Sequence, residues 1–239
     1  MQKIVVAITG ASGSIYANIL LTKLLQIKAF AQQKNGGEEQ KENMDEIQSG
    51  IGRMVGLVNA LLNVSRIDLG TFMIGPEPTD LIALCKKIVQ DSEPRIFERK
   101  QKFNEDYPEE LKPLSIDPRL TRMVIENLVS NAIKYTPENG TITLSVKKKS
   151  GVVNIEVKDT GYGIPKAQQK KIFTKLFRAD NVLAHDTEGT GLGLYIARSV
   201  VEQSGGKIWF ESEENKGTSF FVDLPEEGMR ARAGSRRLD

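Results

Sequence analysis

Cysteine is almost missing from the 239 residues, with Cys85 alone. That excludes an internal disulfide framework and suits a reducing, cytoplasmic compartment. Cys85 ends the apolar-periodic run Leu81-Ile82-Ala83-Leu84-Cys85, which favours a packed thiol over a nucleophile. No apolar run approaches the roughly 20 residues that cross a bilayer. The short apolar start is broken by Gly10, Ser12 and Gly13, too early for the apolar region of a signal peptide. No membrane segment is therefore expected. Net charge is small, since 33 Lys and Arg face 31 Asp and Glu. No global field recruits nucleic acid or an acidic partner. Histidine is as scarce as cysteine, with His185 alone.

What is present divides into four stretches: 1–31, 32–74, 75–225 and 226–239. The first begins with Lys3-Ile-Val-Val-Ala-Ile8, an apolar run that reads as a buried strand, followed by a helix from Ser14 to about Ala31. The turn Gly10-Ala11-Ser12-Gly13 lacks the Lys of a phosphate-binding P-loop and the spacing of a dinucleotide fingerprint. From Glu38 to Leu69 a long helix places Met44, Ile47, Ile51, Met54, Val58 and Leu61 in alternating steps of three and four. That is a coiled-coil seam. Paired with the preceding helix it makes a helical hairpin, which buries its stripe best in a dimeric four-helix bundle. A hairpin folded onto its own domain is the competing reading.

Gly75-Pro76-Glu77-Pro78 reads as a linker. Helices are then expected over about 81–91, from Asp117-Pro118 to Tyr135, over Pro165 to Phe173 and over about Gly191 to Ser204. Strands are expected near Phe103 and Leu114, over Thr141 to Val146 and Val152 to Val157, and as a hairpin of Ile208 to Glu211 with Thr218 to Leu224. The fold class is α+β, a sheet covered on one face by helices. The Arg-rich tail from Glu226 to Asp239 lacks periodicity and is expected to be disordered.

Four segments carry chemistry. In Asn127-Leu-Val-Ser-Asn131-Ala-Ile-Lys134-Tyr135, Asn127 and Asn131 stand four apart on one helix face. Neutral oxygens there suit a hydrated magnesium that shares phosphate ligands, with Lys134 adding positive charge. Asp159-Thr160-Gly161-Tyr162-Gly163-Ile164 follows a strand, so an ionised carboxylate can accept an exocyclic amino group while glycines let backbone pass close to a base. Ile172-Phe173-Thr174-Lys175-Leu176-Phe177-Arg178 precedes a polar loop ending at Thr190; Phe173 and Phe177 can anchor a lid and Arg178 can reach phosphate. Gly189-Thr190-Gly191-Leu192-Gly193-Leu194 opens a helix whose first amides can hold polyphosphate. Each segment alone is weak: paired Asn are often caps, Asp-x-Gly is a common turn, and a lone glycine turn says little.

In this order and spacing the four segments resemble the N, G1, F and G2 boxes of sensor histidine kinases, over roughly residues 40–225. Asn63-Val64-Ser65-Arg66-Ile67 and Gly217-Thr218 also fit that pattern. The resemblance implies the Bergerat ATP-binding fold, with ATP and Mg²⁺ as cofactors. It implies magnesium on Asn131, adenine on Asp159, and a nucleotide site built from Asn127, Lys134, Tyr135, Gly161, Gly163, Ile164, Phe177, Arg178 and the Gly189, Thr190, Gly191, Leu192, Gly193 turn. Leu176 departs, since a second Phe is frequent there in the family. ATP-hydrolysing relatives commonly place a Glu four residues before the magnesium Asn. Here that position is Asn127, which cannot act as a base at neutral pH, so phosphotransfer is favoured over hydrolysis. Residues 1–28, with IVVAITGASGSIYANILLTKLL, resemble the start of flavin prenyltransferases. Nothing later continues that fold, so the segment reads as a graft or junction.

The kinase resemblance also demands an acceptor His on the first bundle helix, where this chain has the Ser12–Lys28 segment. His185 falls in the expected lid instead. Two functions stay open: a histidine kinase by descent, with a response regulator among its partners and its acceptor His supplied in trans, or a dimeric nucleotide-binding scaffold or engineered chimera without turnover.

Overall fold

The computed structural model describes residues 38–69, 71–179 and 190–232. The strand-turn-helix expected over 1–31, and with it the first helix of the hairpin, lies outside the described residues. So do Gly189, His185 and most of the expected lid.

The chain separates into two compact units, Met1–Asp68 and Leu69–Asp239. In the first, α1 spans Glu38–Asp68 as one 31-residue helix. Its apolar residues do not share one environment. Ile51, Leu62, Val64 and Ile67 are buried, whereas Met54 is 48%, Leu57 39% and Leu61 37% exposed.

The second unit is built on a five-stranded sheet of order β2-β4-β5-β7-β6. Its strands are β2 (Lys102–Asp106), β4 (Thr141–Lys149), β5 (Val152–Asp159), β6 (Lys207–Glu213) and β7 (Gly217–Pro225). Only the β2–β4 pair is parallel. A separate two-stranded sheet joins β1 (Glu77–Thr79) to β3 (Leu114–Ile116), so part of the expected linker is strand.

Alternation decides which face of the large sheet is covered. Leu144 pairs with Val157, and Ile155 with Val222; these side chains are all within 1% of full burial. Three helices supply the other half of the core: α2 (Leu81–Glu98), α3 (Pro118–Tyr135) and α4 (Gly193–Gln203). α2 packs on α3, α3 on α4 and on β4 and β5, and α4 on β6.

The caps follow the sequence. Asp80 accepts the Ala83 amide at 2.9 Å. Asp117, fully buried, accepts from Arg119 and Leu120 ahead of Pro118 at the first turn, satisfying amides that the helix itself leaves unpaired.

Three expectations change. α2 runs past residue 91 and through Pro94, because Ile96 is still buried on its inner face. The helix expected over Pro165 to Phe173 is reduced to a 3₁₀ turn, Gln169–Lys171. There Gln169 Nε2 donates to the carbonyls of Ile164 and Ser212, both at 3.0 Å, and ties the segment to β6. The tail is not free from residue 226. Ile74 and Arg232 exchange backbone hydrogen bonds of 3.0 and 3.1 Å, and Met229, 7% exposed, donates its amide to Ser115 at 2.7 Å. The buried methionine and backbone hydrogen bonds from Glu226, Met229, Arg230 and Arg232 hold seven residues that composition gives to solvent.

Candidate functional site

Between the C-terminal half of α3, the end of β5 and the start of α4 lies a cavity of about 290 Å³. Helical spacing puts Asn127, Asn131, Lys134 and Tyr135 on its wall, while Leu128, Val129, Ala132 and Ile133 face the core. Asn127 donates through Nδ2 to the Met123 carbonyl at 2.9 Å. Its amide oxygen occupies the space a side chain at Gly193 would fill, so a larger residue there would have to displace the Asn127 carboxamide. The carboxamide of Asn131 makes no hydrogen bond among the described residues. Glu126 is not on the wall; its carboxylate pairs with Arg122 at 2.8 Å.

Asp159 closes the cavity from the β5 end. Its Oδ1 accepts the amides of Gly161 at 2.8 Å and Thr218 at 3.2 Å. No described residue donates to Oδ2, which leaves one acceptor for a ligand. The side chain is 7% exposed, and burial pushes its carboxyl up to about 6, against the opposite pull of the two amides. The turn after it is shaped by contact. Gly163 has φ +64° and lies against the Glu213 backbone, where a Cβ would collide.

The structure brings most of the sequence-predicted residues together. Asn127, Asn131, Lys134, Tyr135, Asp159, Gly163, Ile164, Phe177, Arg178, Thr190, Gly191 and Gly193 all line this one cavity. Two do not. Gly161 packs behind the wall against the Tyr135 carbonyl, and Leu192 is a core residue, 1% exposed. Gly189 lies outside the described residues. Of the two rings expected to anchor a lid, Phe177 lines the cavity and Phe173 packs edge-on against Phe210 and Phe220 at 5.9 and 6.5 Å.

Ser130, Ile172, Ala179, Leu194, Thr218 and Phe220 line the cavity without having been assigned to it. Ile172 and Leu194 lie inside the third and fourth segments, and Thr218 follows the glycine already noted. Ser130 and Phe220 carry no sequence signal that separates them from core residues.

Residues 116–228 match the family of histidine kinase-, DNA gyrase B-, and HSP90-like ATPases. The chain is 32% identical over 210 residues to the adaptive-response sensory kinase SasA of Synechococcus sp. (strain JA-3-3Ab), a match covering 86% of this chain and 55% of that protein. It is 36% identical over 175 residues to the sensor histidine kinase WalK of Bacillus subtilis (strain 168), covering 72% and 28%. Among solved structures, the catalytic domain of histidine kinase ThkA is 32% identical with a TM-score of 0.56, covering 63% of this chain and 95% of that domain. The chain belongs with the histidine kinases through its catalytic domain. It carries their ATP-binding domain, and the cavity lies within the matched region. The full-length structure of ShkA with AMPPNP, at 22% identity and a TM-score of 0.76 over 92% of this chain, shares the fold. The chain spans about half the length of its SasA relative. No described helix is long and apolar enough to cross a membrane.

Magnesium fits the donor set only as a shared ion. Among the described residues no three His, Cys, Asp or Glu converge on a metal site. The Asn131 oxygen would provide one ligand, and phosphate oxygens and water the rest, which is how magnesium is usually held.

Proposed function

We propose that the chain binds Mg-ATP in this cavity and delivers the γ-phosphoryl group to a histidine, as a kinase of two-component signalling. Adenine donates its amino group to Asp159 Oδ2. Lys134, Arg178 and the amides at the start of α4 take the phosphates, and Asn131 holds magnesium. Asn127 in place of a carboxylate leaves no base four residues before Asn131 to activate water, and Glu126 is committed to Arg122; both favour transfer over hydrolysis. The observation that carries the reading is one cavity holding an unengaged carboxylate oxygen on Asp159 and an unengaged carboxamide on Asn131.

The relatives are kinases, which weighs against a scaffold without turnover. A homodimer through residues 32–74 fits the apolar residues that α1 leaves exposed. A response regulator is the next acceptor by kinship, as ThkA has been solved in complex with the response regulator TrrA.

Calorimetry tests the site. Asn131→Ala should weaken ATP binding about tenfold in magnesium and little in EDTA. Asp159→Ala should cost a similar factor for ATP and lower the preference over GTP, consistent with about 1–3 kcal/mol for one buried polar contact. Unchanged affinity and selectivity in both variants would defeat the assignment.

A further inference from the structure

Ser212, near the end of β6, is not on the cavity wall, yet three neighbours converge on its hydroxyl. The Ile164 amide donates to Oγ at 2.8 Å, the Gly217 carbonyl lies at 3.1 Å, and Thr218 Oγ1 lies at 2.9 Å. An amide can only donate and a carbonyl can only accept, while a serine hydroxyl has one proton. Meeting all three contacts therefore fixes a single proton order. Ile164 donates to Ser212, Ser212 donates to Gly217, and the Thr218 hydroxyl must donate to Ser212.

The consequence falls on Thr218, which lines the cavity beside Asp159 and gives its amide to Asp159 Oδ1. With its proton turned toward Ser212, Thr218 offers a bound base only lone pairs. Asp159 Oδ2, when ionised, offers only lone pairs as well. Two acceptors at this end of the cavity welcome an amino group and repel a carbonyl oxygen. The geometry points to Ser212 as a positioning residue for base selectivity: by holding the Thr218 proton away from the ligand, it makes this end of the cavity reject 6-oxopurines. Gln169 holds the arrangement, donating to the carbonyls of both Ile164 and Ser212. The inference rests on adenine lying against Asp159, as proposed above.

The test compares ATP with inosine triphosphate, whose base has a carbonyl oxygen where adenine has an amino group. Affinities are measured calorimetrically in magnesium for wild type, Ser212→Ala, Ser212→Thr and Thr218→Val. In Ser212→Ala the Thr218 proton loses its acceptor and can turn to the inosine oxygen. The ATP preference should then fall about fivefold or more, the scale of one hydrogen bond made or lost. Ser212→Thr, which keeps a hydroxyl, should retain the wild-type ratio. Thr218→Val removes the repelling lone pairs, should also lower the ratio, and decides the matter if Ser212→Ala does not fold. A merely structural Ser212 would weaken both nucleotides together, so an unchanged ratio in Ser212→Ala or Thr218→Val overturns the inference. So does a wild type that binds both nucleotides equally well. A wild type that binds neither nucleotide overturns the site assignment itself, a distinct result.

Discussion

Asp159 accepts two backbone amides, and its carboxyl is nevertheless pushed from an ordinary 3.8 up to about 6, because burial disfavours the charge more than the amides favour it. Between about pH 4 and 6 the folded protein therefore holds a proton that the unfolded chain has released. The stabilising contribution is complete below about 3.8 and is lost as pH rises through about 6. At neutral pH the ionised carboxylate is a cost, on the order of 3 kcal/mol at most, kept because a ligand amino group needs that acceptor. Asp159→Asn should raise the Tm of the nucleotide-free protein at pH 7, leave it nearly unchanged at pH 4, and weaken ATP binding. Wild-type affinity for ATP should climb from pH 5 to 7 and then level. Scanning calorimetry showing no Tm gain for Asp159→Asn at pH 7 would contradict this account. Asp159 and Asn131 could be read in the sequence because four segments, each weak alone, stand in the order and spacing of the kinase boxes. Thr218 was legible only as part of the Gly217-Thr218 turn, without a place in the site, and Phe220 not at all. They reach the cavity through the β5–β7 register, which sets Asp159 opposite Thr218, and no local pattern encodes a pairing across 59 residues.

Elements were legible where one face is apolar and the ends are capped. α3 begins and ends where Asp117-Pro118 and Tyr135 place it, and the alternation in β4, β5 and β7 gives the covered sheet face directly. The helix expected over Pro165 to Phe173 failed because a side chain from that segment, Gln169, is used on the loop carbonyl of Ile164 and on the β6 carbonyl of Ser212, the latter a tertiary claim that outweighs local propensity. The seam of α1 shows a further limit. Its spacing states that a stripe is to be buried, not what covers it. Met54, Leu57 and Leu61, spaced three and four apart, are more than a third exposed in the single chain. Substituting Met54→Lys together with Leu61→Lys puts charge on residues that this chain leaves in solvent, so the helix should survive with little loss of circular dichroism. Unpaired charge is costly only if a second copy buries it. Sedimentation should show a wild-type dimer and a variant shifted to monomer. A variant that remains as dimeric as the wild type would remove this face from the interface.

At the scale of the whole molecule, an ATP-binding domain is present, while no histidine stands where the kinase resemblance puts the phosphoryl acceptor. The sequence contains one histidine, His185, in the segment that leads to the Gly191 turn rather than among the residues before 75. Direct transfer needs the attacking nitrogen in line with the γ-phosphorus, with reacting atoms about 3–3.5 Å apart. The Gly191 turn is proposed above to take the phosphates of the same ligand, and a histidine only six positions before it in sequence is not expected to attack along that line. Serine or tyrosine in the Ser12–Lys28 segment is a weak nucleophile without an adjacent base. The chain should therefore bind ATP and fail to label itself, yet label a histidine supplied by another chain. Incubation with γ-labelled ATP and magnesium should leave the protein unlabelled by itself. Adding a dimerisation bundle from a related kinase with an intact acceptor His should produce acid-labile phosphate on that bundle. Asn131→Ala should reduce the labelling at least tenfold, because magnesium would lose its only proposed protein ligand. Acid-labile phosphate on the unmodified chain, lost in His185→Ala, would mean that the lone histidine is the acceptor after all. Failure to label any added bundle while ATP still binds would return the chain to the scaffold reading.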